Sequence, residues 1–148
     1  MILTRTTQYA IQTMVYMCMQ ERGTPLLVRS MAEQLSVPAP YLAKILQQLG
    51  RAGLVSSTRG RTGGFRLCEG AEDTRLISLL TLIEGPGIAT TCVLGLKTCE
   101  DRTACPMHAQ WSPIKARVLA LLEDRTVGQL AAAVRSGRHR IADLPLAR

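Results

Sequence analysis

The run from Val28 to Leu67 constrains this chain more than any other stretch, because three segments of different periodicity follow one another with almost no linker. In VRSMAEQL, Met31, Ala32 and Leu35 recur at helical spacing, and Ser36-Val37-Pro38 breaks the pattern. APYLAKILQQLGRAG then carries Tyr41, Leu42, Ile45, Leu46 and Leu49 as one apolar stripe, with Pro40 suited to a first helical turn and Gly53 to a terminator. Beyond Gly53 the period falls to two. LVSSTRGRTGGFRL alternates apolar and polar residues around Arg59-Gly60-Arg61-Thr62-Gly63-Gly64, as a hairpin with a flexible basic tip does. Two short helices about a tight turn, joined to a basic hairpin, make a winged helix-turn-helix. The tip alone also fits a solvated hairpin without a ligand. Its attachment to the helix pair favours a wing whose Arg59, Arg61 and Arg66 meet phosphates or a narrow minor groove.

Charge points to the same partner. The net charge is +7 over 148 residues, which favours a polyanion, nucleic acid before membrane. Met1 to Arg66 holds eight Lys or Arg against Glu21 and Glu33 only, so the basic surface belongs to this half of the chain.

The remaining segments read as helices around that unit. Ile11, Met14, Val15, Cys18 and Met19 mark an amphipathic helix from Arg5 to Gln20, ended by Gly23 and Pro25, with Cys18 as core packing. RLISLLTLIEG is a compact helix with Leu76, Leu79, Leu80 and Ile83 inward, stopped by Gly85-Pro86-Gly87. From Trp111 or Pro113 to Leu122, Ile114, Val118, Leu119, Leu121 and Leu122 mark a longer helix whose aliphatic face suits either a dimer seam or packing on its own domain. DRTVGQLAAAV is a short helix capped near Thr126, and the tail from 135 to 148 is basic and expected to be poorly ordered. The expected organisation is a winged helix-turn-helix domain over 1–84, a cysteine loop over 85–110, a dimerisation helix with a short last helix over 111–134, and the tail. The fold class is mainly α with a small β-wing. MILTRTTQYAIQ lacks the apolar core of a signal peptide, and no stretch is long and apolar enough for a membrane span, so a cytoplasmic protein is expected.

Five cysteines, an odd number, argue for thiol or metal chemistry over a disulfide framework. Cys92, Cys99, Cys105 and His108 follow the spacing C-x6-C-x5-C-x2-H in a segment freed from helix by glycines. Three thiolates on such a loop can converge on one metal centre, with the imidazole as a fourth donor. The tight knuckle usual for structural zinc is missing, which leans toward an iron-sulfur cluster. Lys97 and Arg102 would lower thiolate pKa and offset cluster charge. Three unligated thiols are the plainer alternative. Cys68, ending the wing, reads as structural.

LTRTTQYAI, PAPYLAKILQQLGRAGLVSSTRGRTGGFRL and CPMHAQW together resemble the Rrf-type family of regulators that includes IscR and NsrR, from Leu3 to about Val134, with CPMHAQW similar to the IscR branch. The resemblance implies a homodimer joined by the helix after the cysteine loop, through Trp111, Ile114, Val118, Leu121 and Leu122. It implies a cluster on Cys92, Cys99 and Cys105, completed in the IscR branch by a histidine that maps onto His108 around a 2Fe-2S centre. A carboxylate supports a 4Fe-4S centre in the NsrR branch; the matching residue here is Gln8, which carries no charge. The expected DNA contacts to a pseudo-palindromic double-stranded operator are Ala39 at the start of a recognition helix from Pro40 to Ala52, Tyr41, Lys44 and Arg51 on that helix, Arg59, Gly60 and Arg61 in the wing, and Thr4, Arg5 and Arg29 beside them. The function implied is a transcription regulator, a repressor or dual, whose DNA affinity follows an iron-sulfur cluster sensing cluster status, iron, redox state or nitric oxide. The alternatives are a cluster-free regulator sensing thiol oxidation or a protein partner, and an iron-sulfur carrier or electron-transfer protein. An enzyme is not expected, since no catalytic constellation or phosphate loop is found.

Overall fold

A computed structural model describes residues 3–141, with the side chains of Ile88, Ala89 and Thr103 outside that description. Six helices and one two-stranded sheet follow in the order α1 (Arg5–Met19), α2 (Val28–Leu35), α3 (Ala39–Arg51), β1 (Val55–Thr58), β2 (Gly64–Leu67), α4 (Leu76–Glu84), α5 (His108–Asp124) and α6 (Val127–Arg135), with short 3-10 turns at Ala71–Asp73, Pro86–Ala89 and Asp101–Thr103.

The centre of the core is α1. Ala10, Met14, Val15 and Met17 are buried on it, and α3, α4 and α6 pack around it. Its start is fixed by Thr4, whose hydroxyl accepts from the Thr7 amide at 3.3 Å as an N-cap. α2 ends as Ser36 turns to φ 53, a left-handed conformation that costs a non-glycine residue about 1 kcal/mol and reverses the chain into α3. On α3 the stripe Leu42, Ile45, Leu46 and Leu49 is fully buried, so the helix has a single possible rotation about its axis.

β1 and β2 pair antiparallel, Val55 opposite Leu67 and Thr58 opposite Gly64. The hairpin is braced from behind, because Leu26 and Phe65 exchange two backbone hydrogen bonds of 2.8 Å. Gly64 makes this brace possible. Its φ is +147, and a Cβ there would lie 2.7 Å from the Leu26 carbonyl oxygen. Gly64→Ala is therefore expected to lower stability by about 2–4 kcal/mol, read as a reduced urea midpoint with unchanged slope.

Two boundaries differ from the sequence expectation. α5 begins at His108 and carries Pro113 inside it, where the ring gives up the amide hydrogen bond to the Ala109 carbonyl. α6, grouped by sequence with α5, returns to the first unit: Val127, Ala131 and Val134 are buried in the same core as α1, and the Arg135 guanidinium donates to the Cys18 carbonyl. The bridge between Arg75 and Thr126 fastens the starts of α4 and α6 together, with Leu76 N–H on Arg125 O at 2.9 Å and Val127 N–H on Thr74 O at 3.0 Å. Thr126 and Gln129 form the capping box expected near that residue. Residues 142–148 of the basic tail lie outside the described residues.

Candidate nucleic-acid interface and cysteine site

Burial of one stripe of α3 leaves Lys44, Gln47 and Arg51 exposed on the rest of the helix. Ala39 is half-buried in its first turn. Tyr41 is not free in the same way. Its hydroxyl hydrogen-bonds the Thr6 hydroxyl, and its ring stands edge-on to Tyr9 at 5.8 Å between centroids. Tyr41 therefore joins α3 to α1 at the end of α3 where base contacts are expected. Arg5 lies over the Tyr9 ring at 6.0 Å, and Arg29 pairs with Glu33 at 3.5 Å on the exposed face of α2. Exposed surface pairs of this kind contribute little to stability and leave the guanidinium available. Thr4 is engaged within the fold, capping α1 and donating its hydroxyl to Glu84. Arg59, Gly60 and Arg61 are exposed at the hairpin turn, with Gly60 at φ 107. Arg66, further down β2, has a buried Nε with no hydrogen-bond partner.

The cysteine loop leaves α4 at Gly85 and re-enters helix at His108. A turn holds its first half, as the Gly95 amide donates to Cys92 O at 2.9 Å and the Cys92 amide to Leu96 O at 3.4 Å. The donors gather as two pairs. Cys92 and Cys105 bring their sulfurs to 3.4 Å, and Cys99 Sγ lies 3.5 Å from His108 Nδ1. Among the described residues, no three His, Cys, Asp or Glu side chains gather around one ion-sized space, so the four stand as these two pairs. The reason is local: the Cys92–Gly95 turn directs one sulfur to Cys105, whereas the 3-10 turn after Cys99 brings Asp101 against His108 instead. Asp101 accepts from His108 Nε2 at 2.8 Å. Because a carboxylate only accepts, Nε2 carries the hydrogen and Nδ1 faces Cys99.

The first pair is electrostatically unequal. The Leu94 amide bonded to Cys92 Sγ pulls the Cys92 pKa down against the effect of burial, helped by Cys105 and Lys115. Burial and the neighbouring Cys92 push Cys105 up. Of the two, Cys92 gives up its proton the more readily. Cys18 and Cys68 stand apart, half-buried beside a cleft of about 500 Å3 near the end of α1, and burial raises the Cys18 pKa.

On α5, Leu122 is buried in its own chain's core and Val118 packs against that core. Leu122 therefore has little apolar surface left for a seam, whereas Val118 stays half-buried. Ile114 and Leu121, seven residues apart on one face, stay 50% and 57% exposed. Trp111 is half-buried, with an indole N–H that has no acceptor.

Residues 3–133 match the Rrf2 family, described as iron-dependent transcriptional regulator. The chain belongs to the Rrf2 family. Two relatives of this Rrf2 chain, both described as HTH-type transcriptional regulator IscR, are 30% identical to it: that of Vibrio atlanticus over 130 residues and that of Vibrio cholerae over 132, each covering 88% of this chain and 75% of the relative. Two solved structures share its fold at 22% identity: the global cysteine regulator CymR of B. subtilis, with TM-score 0.72 over 88% of this chain and 96% of that one, and T. potens IscR, with TM-score 0.71 over 93% and 91%. The winged-helix fold expected from the sequence is thereby established, and the protein is a DNA-binding transcription regulator of this family. Among the described residues, no helix is long and apolar enough to cross a membrane.

Sequence reading missed Asp101, Lys115 and Glu84. Asp101 and Lys115 flank the cysteines in sequence without any spacing signal, and only the path of the loop brings them to the donors.

Proposed function

We propose that this chain is a homodimeric regulator whose hold on operator DNA is set by an iron-sulfur cluster on Cys92, Cys99, Cys105 and His108. The observation that carries the reading is the pairing of donors, Cys92 with Cys105 and Cys99 with His108, in a loop rooted between α4 and α5. Two pairs suit a two-iron centre, in which each iron takes two protein ligands, better than one tetrahedral zinc. The donor chemistry agrees: soft thiolates select iron-sulfur or zinc, and an imidazole oriented by a carboxylate on its far nitrogen is a metal-ready ligand. When bound, such a cluster supplies a one-electron redox couple and a site of attack for oxidants or nitric oxide. The protein's residues do the rest. Asp101 sets the imidazole, Lys97, Arg102 and Lys115 offset thiolate charge, and the loop joins the winged unit to the exposed Ile114–Leu121 face, which a second copy covers. On the DNA side, Lys44 and Arg51 face the major groove while Arg59, Gly60 and Arg61 meet the adjacent backbone or minor groove. Ala39 and Tyr41 lie where α3 enters the groove, and Thr4, Arg5 and Arg29 flank it.

Oxygen-free purification with a visible spectrum and iron and sulfide analysis tests the cofactor. The wild type is expected to be coloured and to hold equal iron and acid-labile sulfide. His108→Ala is expected to lose or red-shift that spectrum, and Asp101→Asn to lower cluster occupancy by roughly 10-fold at limiting iron. A colourless, iron-free wild type ends this reading.

One observation favours a second reading. Sulfurs at 3.4 Å are within reach of disulfide formation, so a cluster-free chain could sense oxidants through Cys92 and Cys105, two thiols giving two electrons and two protons to a peroxide or a small disulfide. Loss of two titratable thiols on mild oxidation, together with a change in DNA affinity, identifies that case.

A further inference from the structure

Three donors converge on one oxygen of Glu84. The Thr4 amide reaches Oε1 at 3.1 Å, the Thr7 hydroxyl at 2.5 Å, and the Thr4 hydroxyl donates to the same atom. Thr4 is the N-cap of α1 and Thr7, fully buried, lies in its first turn, so the carboxylate sits at the end of α1 whose open amides and dipole favour a negative charge. Burial pushes the Glu84 carboxyl up, but the bonds from the two hydroxyls and the amide outweigh it and leave the group below its ordinary value. These are therefore charge-assisted bonds at neutral pH.

Position gives the contact its meaning. Glu84 is the last residue of α4; Gly85, at φ 87, bends the chain away at once, and Cys92 follows eight residues later. Glu84 is thus the end of α4, where the chain sets out toward the cysteine loop. On the same turn of α1, Thr6 hydrogen-bonds the Tyr41 hydroxyl in the first turn of α3. A continuous set of bonds runs from the root of the loop, through the start of α1, to the start of the recognition helix.

We propose that Glu84 is a positioning residue for DNA binding: it locks the root of the cysteine loop to the first turn of α1, which passes that placement to α3 through Thr6 and Tyr41. This rests on the DNA-reading role given to α3 above. It also supplies a physical element through which a change in the loop could reach the groove-facing helix, rather than spatial closeness alone.

The experiment is a double-mutant cycle on affinity for a duplex that the wild-type chain selects from a randomised pool, read by fluorescence anisotropy beside thermal unfolding. Glu84→Ala and Thr6→Val are each expected to weaken binding by at least about fivefold. The double variant is expected to bind no more weakly than the weaker single, because both changes cut one connection. If Glu84→Ala fails to fold, Glu84→Gln takes its place in the cycle, with a smaller loss, since it keeps an acceptor oxygen but not the charge. Losses that multiply in the double variant overturn the proposal. So does a lowered unfolding temperature with unchanged affinity, which confines Glu84 to capping α1. A pool that yields no bound duplex removes the DNA reading itself and this proposal with it.

Discussion

Cys99→Ala, purified without oxygen, is expected to be folded and colourless, with bound iron and sulfide at least about tenfold below the wild type. Cys99 is half-buried in the loop and has its recorded contact with His108 at 3.5 Å, and it takes no part in the core built around α1. Its loss should therefore leave the unfolding transition within about 0.5 kcal/mol of the wild type, as for a substitution away from core packing. Donor loss has a larger effect. Removing Cys99 leaves His108 as the only member of its pair, and a single imidazole does not hold iron against competing water and buffer. Affinity for a selected duplex should change by about 5- to 150-fold, the usual range of coupling between two sites. Unchanged affinity with a lost cluster would separate cofactor from DNA and refute the coupling. A cluster retained in full by Cys99→Ala would show instead that the pairing of Cys99 with His108 is not the ligand set.

The second large effect is expected at the hairpin tip. Arg59→Ala combined with Arg61→Ala should weaken binding to the selected duplex by on the order of 100-fold near physiological salt, since hydrogen bonds to charged groups are worth about 1.5–3 kcal/mol each. The signature that distinguishes phosphate contact from a folding defect is the salt dependence. Each phosphate contact contributes about 0.9 to the slope of log affinity against log salt, so the double variant should lose nearly two units of slope. Both side chains are exposed and neither touches the core, so the unfolding midpoint should not move. A parallel fall in affinity with an unchanged slope would remove these arginines from the phosphate backbone. The contrast with Gly64→Ala is direct, because that change acts on the brace to Leu26 and should lower stability before it lowers affinity.

Most of the winged unit was legible in the sequence because its signals are local. The Leu42–Leu49 stripe, the Ser36-Val37-Pro38 break and the Gly63-Gly64 turn each declare a backbone geometry within a few residues, and α2, α3 and the hairpin fall where those signals put them. The cysteine spacing likewise marked Cys92, Cys99, Cys105 and His108 as candidate donors. It did not declare which donor meets which, since a loop with little regular structure takes its path from contacts that spacing does not encode. The same limit explains Leu122: its place on the aliphatic face of α5 fits a seam and a core equally well, and only the packing of α5 against α4 decides for the core.

From residue order alone came the helices, the hairpin, the basic half and the grouping of three cysteines and a histidine in one loop, all consequences of side-chain periodicity and composition over short windows. Tertiary packing decided the rest: the separation of the donors into Cys92 with Cys105 and Cys99 with His108, the hold of Asp101 on the imidazole, and the bond from Glu84 to the start of α1 across 80 residues of sequence. The Glu84 bond joins groups far apart along the chain, while the loop contacts, 7 to 13 residues apart, follow from the path of a segment without regular periodicity, so neither kind is declared by a local pattern.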